Sequence, residues 1–228
     1  MKRGLSQEEL KLIACLTMLV DHIGYLFVPG LKLRAIGRLA FPIFCFLMAE
    51  GAHYTRNPKK YALRLAVSAV VSEFAFDFAF YGGFTWRVQS VMITLLLGFL
   101  AVQAAKKVRP LWLQWLVVLP FFFLAEVLRC DYGGAGVLLV ALFALNREHP
   151  RRIWLYFLGM VFLFDWMGGL SVRILGQLRL PLQMFGLAAL PLIWAYSGEK
   201  RTRSRWVQWG FYLFYPVHMV LLRLAAML

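Results

Sequence analysis

A chain of 228 residues that is 61% hydrophobic and 16% aromatic, with a mean hydropathy of +0.68, carries more apolar side chains than a soluble domain of this size uses. At about 20 residues per crossing, this length accommodates about nine membrane spans and leaves no room for a separate soluble domain. The formal charge of +14 does not mark a nucleic-acid partner, because the Lys and Arg residues stand in short clusters between apolar runs, where they act as topology signals.

Taken in chain order, the first apolar run extends from Leu10 to Phe27. Ser6-Gln7-Glu8-Glu9 has the capping-box pattern, so a helix is predicted to start near Gln7, and the Pro29-Gly30 turn to end it. No small-residue cleavage site follows the run, which predicts that it is retained. It carries Lys11 near its start and the adjacent pair Asp21 and His22 in its second half. At about 100° per residue, Lys11 and His22 share nearly one face, separated by roughly 16 Å of rise. The second run, Gly37 to Ala52, opens with Arg38, contains Pro42 and closes with Glu50 and His53 at i, i+3 spacing. The third, Lys59 to Phe80, begins with Lys59 and Lys60, carries Arg64, and puts Glu73 and Asp77 on one face, four residues apart.

Gly82-Gly83 breaks the chain before a fourth helix, Val88 to Ala105. A fifth spans Leu111 to Leu128 with Glu126 near its end, and a short apolar sixth runs from Gly134 to Leu145. The seventh, Ile153 to Trp166, contains Asp165 and is followed by a connection over Gly168 to Leu180. Pro181 opens an eighth, ending near Tyr196, and the ninth, Trp206 to Met227, contains Tyr212, Pro216 and His218. Taken alternately, the connections holding Lys2-Arg3, Arg56 to Lys60, Lys106 to Arg109, Arg147 to Arg152 and Lys200 to Arg205 are far richer in cations than the other set. The positive-inside rule therefore predicts a cytoplasmic N-terminus, and an odd number of crossings an external C-terminus. The expected fold is all-α: a polytopic integral protein of the inner (plasma) membrane, with about nine transmembrane helices in one bundle and one domain over residues 1–228.

An ionisable group at the centre of a membrane helix costs roughly 2.5 to 3.5 kcal/mol on insertion scales, so such groups face protein or a water-lined cavity. The predicted topology puts Asp21, His22, Arg38, Glu73, Asp77 and His218 in the outer half, and Lys11, Glu50, His53 and Arg64 in the inner half. For the acids, interhelical pairing or snorkelling explains the charge as well as a substrate role does. Imidazole moves protons near neutral pH, which makes His22 the leading general base, with His218 as a second proton-transfer group. Arg38 stays charged when buried and suits an oxyanion, a carboxylate or a phosphate. Asp21 either holds the charged form of His22 or, pointing about 100° away from it, pairs with Arg38 or another helix. Glu50, Glu73 and Asp77 are the acidic candidates for contacts to a substrate. No metal is expected, since the four histidines lie on separate segments without ligand spacing. Cys15, Cys45 and Cys130 are isolated and read as core thiols.

Together, Leu10-Lys11-Leu12-Ile13 through Asp21-His22-Ile23-Gly24, then Ile36-Gly37-Arg38-Leu39-Ala40-Phe41-Pro42-Ile43-Phe44 with Ala49-Glu50-Gly51, Lys60-Tyr61-Ala62-Leu63-Arg64-Leu65, and Phe211-Tyr212-Leu213-Phe214-Tyr215-Pro216-Val217-His218 resemble the TraX family. That family is in turn similar to the larger acyltransferase-3 family, which has a basic residue, ten intervening residues and an active histidine on its first helix, the spacing of Lys11 and His22. The resemblance implies a polytopic membrane acetyltransferase with acetyl-CoA as co-substrate and a peptide or protein N-terminal amine as acceptor. In that reading His22, Asp21, Arg38 and His218 are catalytic, and Lys11, Arg64, Lys60 and Lys59 hold the phosphates of the acyl-CoA donor. A glycan, lipid or small molecule acetylated on oxygen is the alternative acceptor. A transporter or assembly protein without enzymatic activity is the competing class.

Overall fold

Ser6 starts the first helix as its sequence predicts. In the computed structural model, which describes residues 4–28, 31–166, 170–174, 178–202 and 204–228, its hydroxyl accepts from the Glu9 N–H at 3.3 Å, and the Glu9 carboxylate accepts from the Ser6 N–H at 2.7 Å. This reciprocal cap opens α1 (Gln7–Leu26). The chain continues through α2 (Lys32–Gly37), α3 (Ala40–Tyr54), α4 (Pro58–Tyr81), α5 (Val91–Ala105), α6 (Leu111–Val127), α7 (Gly133–Leu145) and α8 (Pro150–Trp166). A hairpin of β1 (Ser171–Ile174) and β2 (Leu178–Pro181), a 3-10 segment over Leu182–Ala188, α9 (Ala189–Trp194) and α10 (Arg205–Ala225) complete it.

The protein is mostly helical, in keeping with the all-α expectation, and departs from the predicted elements in three places. Lys32–Gly37 is a separate short helix where a connection was expected. The stretch after α8 contains an antiparallel hairpin, with Ser171 opposite Pro181 and Ile174 opposite Leu178. The expected eighth helix is a 3-10 segment followed by the six-residue α9. The expected turn at Pro29-Gly30, the Lys2-Arg3 cluster, Gly168 and Arg203 lie outside the described residues.

Lys32–Tyr54, 23 residues, is the one stretch among the described residues long and apolar enough to cross a membrane by length and composition. α1 and α4 have 20 and 24 residues but carry several charged side chains: Glu8, Glu9, Lys11 and Asp21 on α1, and Lys59, Lys60, Arg64, Glu73 and Asp77 on α4. Val91–Ala105, Leu111–Val127, Gly133–Leu145 and Leu182–Trp194 are apolar but shorter.

The chain divides into two compact units, Met1–Phe44 with Trp154–Leu228, and Cys45–Ile153. In the first, α1 packs on α2 and on α10, and buries Leu10, Ala14 and Met18 together with Leu182, Leu190 and Met219. Glycines allow the closest approach: a Cβ on Gly24 would stand 2.7 Å from the Leu33 Cβ, and one on Gly37 would overlap the Asp21 side chain. In the second unit, α5, α6 and α7 pack around Phe99, Val102, Val137, Val140 and Leu142. The tight α6–α7 connection puts Arg129, Tyr132 and Gly133 at positive φ, and the Glu126 carboxylate accepts from the Gly134 N–H at 2.7 Å. That carboxylate stabilises the positive end of α7.

Candidate functional site: a histidine pair beside a buried ion pair

In the first unit, α1 and α10 bring together two histidines 196 residues apart. His22 Nδ1 and His218 Nε2 are 2.8 Å apart, with ring centroids 5.0 Å apart and planes within 8° of parallel. His218 Nδ1 lies 2.6 Å from the Phe214 carbonyl oxygen, which can only accept, so that nitrogen carries the proton. With both rings neutral, His218 Nε2 then holds a lone pair and accepts from the His22 Nδ1–H. The chain of bonds leaves the basic lone pair of His22 on its Nε2, the nitrogen pointing away from His218. Phe214 stacks on the His218 ring at 4.7 Å, and Tyr215 meets both imidazoles edge-on. His218 follows Pro216 inside α10.

Asp21, the neighbour of His22, faces α2 and the turn after it. Arg38 Nη2 donates to both Asp21 carboxylate oxygens at 2.6 Å, Arg38 Nε donates to the Arg34 carbonyl at 3.3 Å, and Arg34 Nε stands 3.9 Å from Asp21 Oδ1. The Arg38 and Asp21 side chains are only 8% and 12% exposed, so this is a desolvated charge pair. Of the two partners the sequence left open for Asp21, the structure gives it Arg38, and no hydrogen bond joins it to His22. The reason is the helical offset: one residue turns the carboxylate toward α2, where Gly37 leaves room for it. Both guanidiniums nonetheless lie within electrostatic reach of the His22 ring.

Lys11, three turns before His22 on α1, sets its ammonium 5.3 Å from the Phe211 ring centroid, also on α10. Lys11, Asp21, His22, Arg38 and His218 therefore all belong to the first unit. The other predicted site residues belong to the second. Lys59, Lys60 and Arg64 are exposed in the first two turns of α4, with the Arg64 guanidinium 5.4 Å from the Tyr61 ring.

Glu50 is buried and bound by Arg147, whose Nε donates at 2.7 Å. Arg147 Nη2 also donates to the Tyr54 hydroxyl at 2.6 Å, and Nη1 lies 3.4 Å from His53 Nε2. The hydrogen bonds that Arg147 donates to Glu50 push its pKa above the ordinary value. Glu73 and Asp77 accept backbone N–H groups from Ser90, at 2.9 Å, and from Thr85, at 2.8 Å.

Sequence reading missed Arg34 and Arg147 as partners of acids, because both stand in clusters whose net charge already explained them as topology signals. Phe211 and Phe214 entered only as members of the closing motif and with no role of their own, since an aromatic residue on an apolar helix looks like any other core residue.

A family model for the TraX protein matches residues 6–226. The chain is 30% identical over 235 residues to the probable fimbrial assembly protein FimC, serogroup H1, of Dichelobacter nodosus, covering 96% of this chain and 95% of that one. It is 43% identical over 54 residues to an uncharacterised protein of Rickettsia prowazekii (strain Madrid E), covering 23% of this chain and 21% of that one. No solved structure matches. The matched span takes in every residue of the histidine pair and of the ion pair beside it, and the chain belongs to the TraX family.

Proposed function

We propose that this chain is a multi-pass inner-membrane acyltransferase that moves an acetyl group from acetyl-CoA to an amine, with His22 as general base and His218 as the group that orients it. The observation that supports this most is the bond sequence from the Phe214 carbonyl through His218 to His22, which sets the tautomer needed for a base at His22 Nε2. In the reaction the neutral acceptor amine attacks the thioester carbonyl and the C–N bond forms. His22 Nε2 takes the proton from the amine nitrogen, the C–S bond breaks, and the proton returns to the departing CoA thiolate. While His22 is charged, its Nδ1–H bond to His218 stabilises the imidazolium. Arg38, fixed by Asp21, would face the oxyanion of the tetrahedral intermediate. Lys11, roughly 16 Å along the same face of α1, would meet the donor's phosphates from the cytosolic side.

The membrane setting is supported by the large apolar side chains that α1, α4 and α6 leave exposed, among them Leu12, Leu16, Val67, Phe74 and Phe123. The name of the Dichelobacter relative, a probable fimbrial assembly protein, suggests an acceptor in fimbrial assembly. That same name also favours a second reading, an assembly partner with no catalysis.

Reconstituted vesicles with acetyl-CoA supplied to one face and a peptide acceptor, read by mass spectrometry, test the choice. Wild type is expected to acetylate the N-terminal amine, and His22→Gln to lose at least about a hundredfold in turnover while still binding CoA. A wild-type protein that binds no CoA, or a His22→Gln variant with unchanged turnover, defeats the proposal. Serine-bearing and sugar acceptors in the same assay separate N- from O-acetylation.

A further inference from the structure

Two guanidiniums share one carboxylate beside the histidine pair. Both Asp21 oxygens accept from Arg38 Nη2, and Arg34 Nε stands 3.9 Å from Asp21 Oδ1, beyond hydrogen-bond distance. That Nε is buried and has no hydrogen-bond partner. The Arg34 side chain as a whole is 20% exposed, so most of the water that would satisfy its donors is gone. Among the described residues no other acid lies within salt-bridge distance of Arg34.

Charge and shape say what would complete the site. Asp21 neutralises Arg38, which leaves one positive charge over at Arg34. The Tyr25 ring lies 5.3 Å from the Arg34 Cζ and takes the face of the guanidinium, whereas hydrogen bonds form at its edge, where the N–H groups make a planar fork. The fork has a fixed base: α2 packs on α1 where Leu33 closes on Gly24, and the Arg34 carbonyl accepts from both the backbone N–H and the Nε–H of Arg38. A carboxylate matches a planar fork and balances a single charge. A phosphate dianion would instead leave an excess of negative charge in desolvated surroundings. Both arginines lie within electrostatic reach of the His22 ring, so an anion held by Arg34 sits beside the proposed base. A peptide residue spans at most about 3.6 Å, so only a carboxylate close to the reacting amine reaches from His22 to the neighbourhood of Asp21.

We propose that Arg34 binds a carboxylate of the acyl acceptor, so that the preferred acceptor is a peptide amine with an acidic side chain at its second or third residue. The acceptor's role rests on the acyltransferase reading, whereas the uncompensated charge at Arg34 does not.

Tripeptides with amidated C-termini and glutamate or glutamine at the second or third position test it, with the full chain in phosphatidylcholine nanodiscs. The preferred glutamate peptide is expected to have a KM about tenfold or more below that of its glutamine counterpart, the scale of a hydrogen bond to a charged group. Arg34→Gln is expected to bring the ratio of the two KM values close to one, and Arg34→Lys to keep part of the preference. A merely structural role for Arg34 would weaken both peptides alike and leave the ratio intact. Equal KM values in the wild type at both positions overturn the proposal, as does an unchanged ratio in Arg34→Gln. If Arg34→Gln does not fold, the wild-type comparison decides alone. Thermal melting with the same peptides and no acetyl-CoA separates this site from the chemistry. A larger rise with glutamate than with glutamine, without turnover of either, supports the carboxylate site and defeats the acyltransferase reading. A rise with anionic lipid in the nanodisc and none with the glutamate peptides assigns Arg34 to a headgroup and overturns the proposal.

Discussion

Asp21 and His22 are neighbours in sequence with different partners, and the difference decides what each substitution should do. The Asp21 carboxylate is spent on Arg38 and Arg34, whereas His22 is held by His218. Replacing Asp21 with Asn leaves the Arg38 guanidinium buried against a neutral amide, and breaking a buried pair in this way costs about 3 to 5 kcal/mol. We expect Asp21→Asn to lower the melting temperature in nanodiscs, and the double variant Asp21→Asn with Arg38→Met to recover much of the loss, because the orphaned charge is gone. If Asp21 instead acted through the His22 ring, the single variant would keep its stability and lose turnover. The sequence showed that both residues were costly to bury and so had to have partners. It could not show which, because the partners lie 17 and 196 residues away.

Elements form where local chemistry is strong, and here that separates what was readable from what was not. The start of α1 is written in four residues, Ser6 to Glu9, and the structure contains both bonds of that cap. α2 has no such signal: no side chain caps its start, and its six residues carry two charges. It exists because it packs on α1. The α1–α2 contact can be tested at its glycines. A Cβ on Gly37 would stand 2.6 Å from Asp21 Cγ, whereas one on Gly24 would press on the Leu33 Cβ at 2.7 Å and make an ordinary contact with the Arg34 Cγ at 3.5 Å. Gly37→Ala and Gly24→Ala should each cost about 1 to 3 kcal/mol through overpacking, read by thermal melting. Only Gly37→Ala should also reduce turnover, since it alone displaces Asp21 from Arg38. Equal effects of the two on turnover would separate the ion pair from the chemistry.

At the scale of the molecule, the order of contacts between α1 and α10 bears on topology. Lys11 meets Phe211, and farther along both helices His22 meets Tyr215 and His218, so the two helices run in the same direction. Parallel spanning helices need an odd number of crossings between them. Lys32–Tyr54, α5, α6, α7 and Leu182–Trp194 are apolar, and with the more charged α4 and α8 the proposed multi-pass arrangement has seven helical segments in that interval. In the proposed multi-pass arrangement, the cation clusters put the N-terminus in the cytosol and the end of α10 outside. All three native cysteines are buried, which gives a low background for single-cysteine labelling. Gly83 has open space around it, and Lys107 and Ala226 are exposed, so cysteines at these positions should be tolerated. A membrane-impermeant maleimide applied to intact spheroplasts should label Gly83→Cys and Ala226→Cys, and Lys107→Cys only after permeabilisation. Labelling of Ala226→Cys and Lys107→Cys from the same side would mean an even number of crossings. The shared direction of α1 and α10 would then have to arise with one of them lying along the membrane surface, and His22 would no longer sit at the depth that the proposed reaction requires.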